Sequence, residues 1–526
     1  MAISIRHLAS VAVCLQCLRV PAQGGRLLVV PVDGSHWLSM RILVQELHAR
    51  GHHIVVVFPE NNLVIHRAPE YSSKTFRTAY SKQHVRDIYR SLIRFPFING
   101  TFFERFSENL RLIQKFSDFF LITCEGLLRD SELLRELAEG EFDALFTDPF
   151  SPCGSIVAAH LSLPSVFLLR GVPCGLDYEA AQCPRPLSYV PRHFTGNADR
   201  MSFSQRVHNV LGLVMESVVC HVTYSRFDEL AARFLQKEVT VKELLSRGAI
   251  WLLRFDFVFE YPRPLMPNMI LVGGMNCKDR KPLPEELEEF MNSSGEYGAV
   301  IFSLGSMVSD VPIETADQIA EALGQIPQKV LWRHTGVKPS TLAPNTKLMK
   351  WMPQNDLLRH PKTRAFISHG GMHGIYEAIC AGVPMVLVPL FADQLENVLR
   401  IKNQNAGILI DLKNMSSRDL VEALNTVIND TRYKENMMRL SSLHKDQPVK
   451  PLDLSVHWVE FVMKHKGAEH LRPAAHELNW IQYNCLDVIG FLLAIVLVSF
   501  YLMIKCCTVC YRCLGRTKKQ EKKKSD

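Results

Sequence analysis

A segment rich in histidine and glycine has the clearest chemistry in this sequence. Residues 369–374 read HGGMHG, after an apolar run typical of a strand and before a helical pattern. Glycine lets the backbone approach a ligand closely, and a helix N-terminus offers unpaired N–H groups to an anion. The segment therefore predicts a phosphate site with His369 as a hydrogen-bond donor, which Ser306 closes from the other side. The alternative is a helix that merely packs closely on a strand.

A histidine and an aspartate are predicted to lie on the same edge of another sheet. His36 lies in the turn after the first strand, and Asp148 follows a later strand. The carboxyl ends of parallel strands share one edge of a sheet, so both side chains should face a cleft there. A single histidine in such a turn is more often structural than catalytic.

The elements that would position these residues form two α/β series. Residues 26–58 read as strand, helix and strand, the signature of a right-handed βαβ unit. A second series is predicted at 299–303, 329–332, 348–351, 365–368, 385–388 and 407–410. The proline-rich segment 261–267 cannot continue a helix or a central strand, which makes it the predicted linker. Two doubly wound domains that face each other would form a cleft.

Composition indicates an enzyme-sized globular chain with membrane-directed ends. The 526 residues are 47% hydrophobic and carry a formal net charge of +7. Eight Lys or Arg and two acidic residues lie in 505–526, so the rest of the chain is nearly neutral. A nucleic-acid-binding protein needs a basic face on its folded body, and the sequence does not separate basic from acidic residues in that way. We therefore expect no nucleic acid among its partners.

The two ends predict membrane topology. Residues 1–22 resemble a cleaved secretory signal, the alternative being a buried first helix. Residues 488–504 are uncharged and long enough to span a bilayer, and positive charge follows them. A type I protein with a lumenal body and a basic cytosolic tail is expected. Lys523 and Lys524 resemble a dilysine signal for the endoplasmic reticulum, although a stop-transfer cluster explains these charges almost as well.

Glycosylation triplets fit a lumenal body, whereas the cysteines do not define a pairing. The triplets begin at Asn99, Asn292, Asn414 and Asn429. Eight unevenly spaced cysteines lie between the predicted signal peptide and the predicted membrane span, and their spacing does not indicate a disulfide pairing.

The segment from Trp351 to Gln394 carries a resemblance to a known family. It contains WMPQ and then AFISHGGMHGIYEAICAGVPMVLVPLFADQ, and DGSHWL, FTDPF, FSLGSMV and LSSLHKDQP lie elsewhere in the chain. The sequence resembles the vertebrate UDP-glucuronosyltransferases of the bilirubin and phenol type over essentially its whole length. This resemblance implies an α/β protein of GT-B architecture, with two Rossmann-like doubly wound domains facing a cleft and one C-terminal transmembrane helix.

The resemblance also implies an organisation along the chain. The expected order is a signal peptide, an acceptor domain, a UDP-sugar domain, helices returning to the first domain, a membrane span and a cytosolic tail. The corresponding residues are 1–22, 23–267, 268–450, 451–484, 485–505 and 506–526.

The resemblance assigns roles to individual residues. His36 is the general base and Asp148 orients it, Trp351 stacks on uracil, Gln354 and Glu377 bind the nucleoside, and Asp393 and Gln394 bind the sugar. The residues predicted to bind UDP-glucuronate are Ser306, Trp351, Gln354, His369, Gly370, His373, Gly374, Glu377, Asp393, Gln394 and Arg254. The alternatives are core packing for Trp351 and a solvated helix position for Glu377.

Arg254 is predicted to read the glucuronate carboxylate, the alternative being an ion pair with Asp256 or another acid. No D-x-D triplet occurs, so the carboxylate grip on a metal-bound sugar diphosphate is missing. We expect no metal and no prosthetic group.

The expected function is inverting transfer of glucuronate to lipophilic acceptors such as phenols, steroids or bilirubin. Two alternatives stay open: the donor is UDP-glucose, UDP-galactose or UDP-N-acetylglucosamine, or the chain is a non-catalytic regulatory homologue. Assembly with itself or with homologues also stays open. A nicotinamide-dependent dehydrogenase would need G-x-G-x-x-G after its first strand, where this chain has DGSH.

The aromatic-rich helical region 84–135 has three open interpretations: it lines a pocket, it contacts the membrane, or it forms part of the hydrophobic core.

Overall fold

A computed structural model describes residues 24–94, 101–308 and 311–522. The predicted signal peptide, Asn99, Lys523 and Lys524 lie outside the described residues. Residues up to Leu471 form one compact unit, and residues from Arg472 onward form a second.

The first unit contains two fully parallel sheets. The seven-stranded sheet has the order β3-β2-β1-β4-β5-β6-β7, and the six-stranded sheet has the order β10-β9-β8-β11-β12-β13. The strands are β1 (Arg26–Val30), β2 (His53–Pro59), β3 (Ser72–Phe76), β4 (Ala144–Thr147), β5 (Ser165–Leu169), β6 (Ile250–Leu253), β7 (Met269–Leu271), β8 (Ala299–Ser303), β9 (Lys329–Arg333), β10 (Thr346–Met349), β11 (Thr363–Ser368), β12 (Met385–Leu387) and β13 (Gly407–Leu409). In each sheet the strand order reverses direction beside the first strand.

The helices up to residue 471 cover both faces of the sheets, as a parallel sheet requires, and the helices after it belong to the second unit. In chain order they are α1 (Ser35–Ala49), α2 (Lys82–Arg94), α3 (Phe102–Arg129), α4 (Ser131–Ala138), α5 (Cys153–His160), α6 (Leu176–Ala180), α7 (Phe203–Leu235), α8 (Val241–Leu245), α9 (Glu285–Asn292), α10 (Ile313–Gly324), α11 (Gln354–Leu358), α12 (Met372–Ala381), α13 (Gln394–Asn403), α14 (Ser417–Asn429), α15 (Thr431–Lys445), α16 (Pro451–His465), α17 (Trp480–Tyr483) and α18 (Leu486–Lys522).

The strand sequences account for this burial. The runs RLLVV and HIVVVF are continuous in apolar residues, which suits strands buried on both faces. One face of the first sheet packs on α1 and α16, where Trp37 and Leu43 share a core with Val456 and Val459. Helix α16 therefore packs on the first sheet after the second sheet is complete.

The structure changes the predicted position of the linker. The proline-rich segment 261–267 is followed by β7, which pairs with β6 and so belongs to the first sheet. The chain crosses to the second sheet after Leu271 and not at 267. A three-residue strand at the edge of a sheet is too short to leave a pattern in the sequence.

The second unit includes α18, one long apolar helix. Residues Leu486–Cys513 are apolar enough to cross a membrane, and the helix continues to Lys522. The predicted division at 505 between a spanning helix and a separate tail is not a break in secondary structure, because the charged residues continue the same helix.

Three disulfides join distant segments of the first unit. They link Cys124 to Cys153, Cys174 to Cys220 and Cys277 to Cys380. The third connects the loop after β7 to helix α12. Their spacing of 29, 46 and 103 residues explains why the sequence could not reveal the pairing.

Candidate active site

The turn after β1 presents His36 to the space between the two sheets. Gly34 adopts φ +80°, a left-handed conformation that favours glycine, and the next residue begins α1. The Asp33 carboxylate fixes the turn because it accepts hydrogen bonds from the amides of Leu63 at 2.6 Å and Val64 at 3.1 Å. His36 thus lies where the strand order of the first sheet reverses, in a turn that hydrogen bonds to Asp33 hold in place.

His36 and Asp148 form the predicted pair. β1 and β4 are neighbours, and their ends align at Val30 and Thr147. The His36 Nδ1 atom lies 2.6 Å from Asp148 Oδ2, and the side chains are 27% and 2% exposed. Asp148 Oδ1 accepts the Phe150 amide at 2.9 Å. With Nδ1–H donated to the buried carboxylate, Nε2 is the ring nitrogen that can accept a proton from a ligand.

The switch point of the second sheet brings two glycine turns together. β8 and β11 are neighbours, and Gly305 (φ +90°) and Gly370 (φ +84°) follow their ends. A Cβ on Gly305 would lie 2.6 Å from the His369 ring, and one on Gly371 would lie 2.5 Å from it. Only glycine fits against this ring, so both turns can approach a ligand closely.

His369 is half-buried in this turn, and its imidazole is neutral. Burial lowers the pKa of its imidazole to about 4, and nearby Arg333 acts in the same direction while Asp393 opposes it. Its Nδ1 atom has no hydrogen-bond partner among the described residues, and the same is true of the buried Ser306 Oγ. Two unsatisfied polar atoms that face one cavity are the pattern expected of a ligand site.

Glu377 lies on α12, which begins at Met372, and His369 lies in the turn before this helix. The amides at the start of α12 follow Gly371, which makes no side-chain cap. They are therefore available to an anion.

The nucleoside residues lie beside this turn. Trp351 is 61% exposed, which excludes core packing, and the Arg333 guanidinium lies 5.2 Å from its ring centroid. Gln354 Nε2 donates to Glu377 Oε2 at 2.5 Å, and His373 Nε2 lies 3.5 Å from Glu377 Oε1. Glu377 is only 6% exposed, so it is not an ordinary solvated helix acid.

The loop before α13 is held by its own polar groups. Gln394 Oε1 accepts the amides of Leu390 at 2.8 Å and Phe391 at 3.1 Å. Asp393 Oδ2 accepts from Asn397 Nδ2 at 2.7 Å. Asp393 and Gln394 are thus held at the cavity wall by contacts within their own loop and helix.

Arg254 follows β6 and reaches helix α1. Its Nη1 donates to Ser39 Oγ at 2.6 Å, and burial lowers the pKa of its guanidinium, an effect that Asp148 and Asp393 oppose. The alternative of an ion pair with Asp256 is wrong, because the Asp256 carboxylate lies 2.6 Å from His444 Nδ1 instead. Arg254 therefore makes a hydrogen bond to the Ser39 hydroxyl and lines the cavity.

A single cavity of about 950 Å³ brings the predicted residues together. Asp148 and Gly370 lie behind its wall and the others line it: His36, Arg254, Ser306, Trp351, Gln354, His369, His373, Gly374, Glu377, Asp393 and Gln394. Aromatic residues of the 84–135 region line the same cavity at Tyr89, Phe116 and Phe120. Phe119, beside them, is buried in the hydrophobic core. The aromatic residues of this region therefore both line the cavity and form core.

Sequence reasoning missed several charged residues of the cavity wall. Arg170 forms an ion pair with Glu260 at 2.6 Å and donates to Asn397 at 3.3 Å. Arg263 and His193 also line the cavity. They come from separate loops with no shared spacing, so no local signal could have singled them out.

Comparisons with known proteins place the chain in a family. The family model described as UDP-glucoronosyl and UDP-glucosyl transferase matches residues 25–521. The chain is 54% identical to human UDP-glucuronosyltransferase 1A1 over 510 residues, which cover 96% of each chain. It is 52% identical to human UDP-glucuronosyltransferase 1A6 over 506 residues, covering 95% of each. The chain belongs to the UDP-glucoronosyl and UDP-glucosyl transferase family.

Similarity to solved structures identifies the fold of the chain. The glycosyltransferase VinC in complex with dTDP has a TM-score of 0.57 and 17% identity, covering 84% of this chain and all of that one. The calicheamicin glycosyltransferase CalG4 has a TM-score of 0.55 and 18% identity, with 84% and 99% coverage. The GT-B architecture expected from the sequence is confirmed. As a member of the family that matches residues 25–521, the chain is a glycosyltransferase.

Proposed function

We propose that this chain transfers glucuronate from UDP-glucuronate to hydroxyl groups of lipophilic acceptors, with inversion at the anomeric carbon. The observation that carries the proposal is one cavity with a His–Asp pair on one sheet and an unsatisfied, glycine-lined phosphate turn on the other. The 54% identity to human UDP-glucuronosyltransferase 1A1 supports the choice of donor.

The first sheet supplies the base. His36 Nε2 takes the proton of the acceptor hydroxyl as its oxygen bonds to C1 of the sugar. The bond from C1 to the β-phosphate oxygen breaks, and UDP leaves. Asp148 holds the ring through Nδ1 and stabilises the imidazolium that forms. Phe150, whose ring centroid lies 5.3 Å from that of His36, packs beside the reacting group.

The second sheet supplies the charge that UDP needs as it departs. The amides at the start of α12, the His369 ring and the Ser306 hydroxyl are donors around the diphosphate. Trp351 stacks on uracil, and Gln354 and Glu377 bind the nucleoside from one hydrogen-bonded pair. Asp393 and Gln394 hold hydroxyl groups of the sugar. These donors meet the developing charge without a metal.

A panel of UDP-sugars tests the donor. Microsomes carrying the protein are incubated with a simple phenol and with labelled UDP-glucuronate, UDP-glucose, UDP-galactose or UDP-N-acetylglucosamine. We expect UDP-glucuronate to give the highest kcat/KM. Preference for a neutral sugar would contradict the proposal, and transfer from none of the four would favour a non-catalytic homologue.

The orientation of the chain is part of the proposal. The catalytic unit lies in the lumen of the endoplasmic reticulum, anchored by α18. Three disulfides support this, because such bonds persist in oxidising compartments. The asparagines of three glycosylation triplets, Asn292, Asn414 and Asn429, are exposed.

Protease protection tests this orientation. Protease added to sealed microsomes should remove only residues after Lys505, and an endoglycosidase should lower the mass of the protected fragment after the membrane is opened. Cleavage of the body in sealed vesicles would contradict the lumenal assignment. Replacing Lys523 and Lys524 with alanine should release protein to the cell surface, and unchanged location would assign retention to another segment.

A further inference from the structure

One arginine in the cavity wall lacks a described partner. Arg263 lines the cavity, and its Nε atom is buried without a hydrogen-bond partner among the described residues. Its guanidinium carbon lies 4.4 Å from the Tyr178 ring centroid and 4.7 Å from that of Phe255. Two aromatic faces hold the group in place, yet no described carboxylate lies within ion-pair distance of it.

The neighbouring arginines differ in this respect. Arg170 and Arg400 share the Glu260 carboxylate, at 2.6 Å and 2.5 Å. Arg185 makes two hydrogen bonds of 2.8 Å to Glu216. Each of these guanidinium groups is bound by an acidic side chain.

The charges of this corner leave a surplus of cations. Glu260 is shared by two arginines, and Glu396 is held by His193 at 3.2 Å. Asp177 is a further acid near Arg263, and the two make no ion pair in the part of the chain that the structure describes. Burial lowers the pKa of Arg263 to about 9, with Arg170 acting in the same direction and Asp177 against it. Arg263 therefore remains a desolvated cation at neutral pH.

A shared tyrosine relates this corner to the catalytic pair. Tyr224 lines the cavity, and its hydroxyl has no described hydrogen-bond partner. Burial raises its pKa, and the carboxylates of Asp177 and Asp148 both add to that shift. The Cys174–Cys220 disulfide joins the turn before α6 to α7, which carries Tyr224. Tyr178 of α6 packs on Arg263, so the Arg263 corner belongs to the acceptor side of the cavity.

We propose that Arg263 binds a substrate carboxylate, and that it selects acceptors carrying a carboxylate apart from their reacting hydroxyl. This rests on the proposed function. A guanidinium binds a carboxylate through parallel hydrogen bonds, and a desolvated, aromatic-lined position strengthens them. The other source of a carboxylate is the donor glucuronate, for which Arg254 is already positioned.

Matched acceptors separate these sources. The test uses a phenol with a carboxylate at its far end and the methyl ester of the same compound, each with UDP-glucuronate and with UDP-glucose. For Arg263→Met, which keeps an unbranched stem but removes the guanidinium, we expect KM for the acid to rise about 10- to 100-fold while KM for the ester and both kcat values stay unchanged. Arg263→Lys should recover part of the loss.

Three outcomes would overturn the proposal. Equal losses for acid and ester with UDP-glucuronate alone would assign the carboxylate to the donor. Equal losses in all four combinations would make Arg263 structural, and no loss would show that it binds no anion. Activity of the unmodified protein on the ester tests the proposed function separately. UDP affinity and melting temperature report folding, and if Arg263→Met does not fold, acid selectivity in Arg263→Lys and Arg263→Gln decides.

Discussion

His36→Ala is expected to lower kcat/KM for glucuronate transfer by about 10²- to 10⁴-fold, the typical contribution of a positioned general base. The Nε2 atom of His36 is the proton acceptor. Among the described residues, His36 is the one histidine of the cavity that pairs with a carboxylate of the first sheet. Affinity for UDP should stay unchanged, because the nucleotide residues lie on the other sheet. Steady-state rates and calorimetric UDP binding measure the two quantities.

Matched variants separate the role of the base from general damage. His52→Gln changes a half-buried histidine that lies 3.1 Å from Glu460 and does not line the cavity. It should keep full activity, whereas His36→Gln should be as inactive as His36→Ala. Asp148→Ala should lose less, because the imidazole keeps its Nε2 and loses only the carboxylate that orients it. Turnover of His36→Ala within a factor of three of the unmodified protein would contradict the dyad.

Arg254→Leu is expected to lower kcat/KM with UDP-glucuronate by about 10- to 100-fold and hardly to change that with UDP-glucose. Glucuronate differs from glucose by a carboxylate at C6. A charge-assisted hydrogen bond to such a group is worth about 1.5 to 3 kcal/mol. The position suits this task, since the guanidinium donates to Ser39, faces the cavity and has no ion pair among the described residues.

The ratio between donors is the decisive readout for Arg254. Arg254→Lys keeps a cation but loses the planar guanidinium, so its ratio of kcat/KM between the two donors should lie between those of the unmodified protein and Arg254→Leu. Ser39→Ala removes the described hydrogen-bond partner and should have a smaller effect on the same ratio. Equal losses with both donors would mark Arg254 as structural.

The sequence predicted the elements that hold the site because their signals are local. A run of buried aliphatic residues followed by a glycine turn and a helical pattern identifies β1 with His36, and the same is true of β11 with His369. In a parallel sheet this pattern also states which edge the residues occupy. The pairing of His36 with Asp148 followed from the family resemblance, and the structure brings the two side chains together.

Contacts between single residues far apart in the chain could not be predicted. His444, in the LSSLHKDQP segment, lies against Asp256, and Tyr376 donates to the same carboxylate at 3.0 Å. This buried cluster joins the segment after β6 to α12 and α15. The disulfides, strand β7 and the lack of a described ion pair at Arg263 are of the same kind, since each depends on tertiary packing and not on spacing.

The anomeric configuration of the product tests the account most directly. If His36 and the UDP site act from opposite sides of C1, attack must displace UDP in line. Transfer from UDP-α-glucuronate to a phenol, followed by proton NMR of the isolated conjugate, should give the β-glucuronide alone. An α-linked product would contradict single-step displacement with His36 as the base.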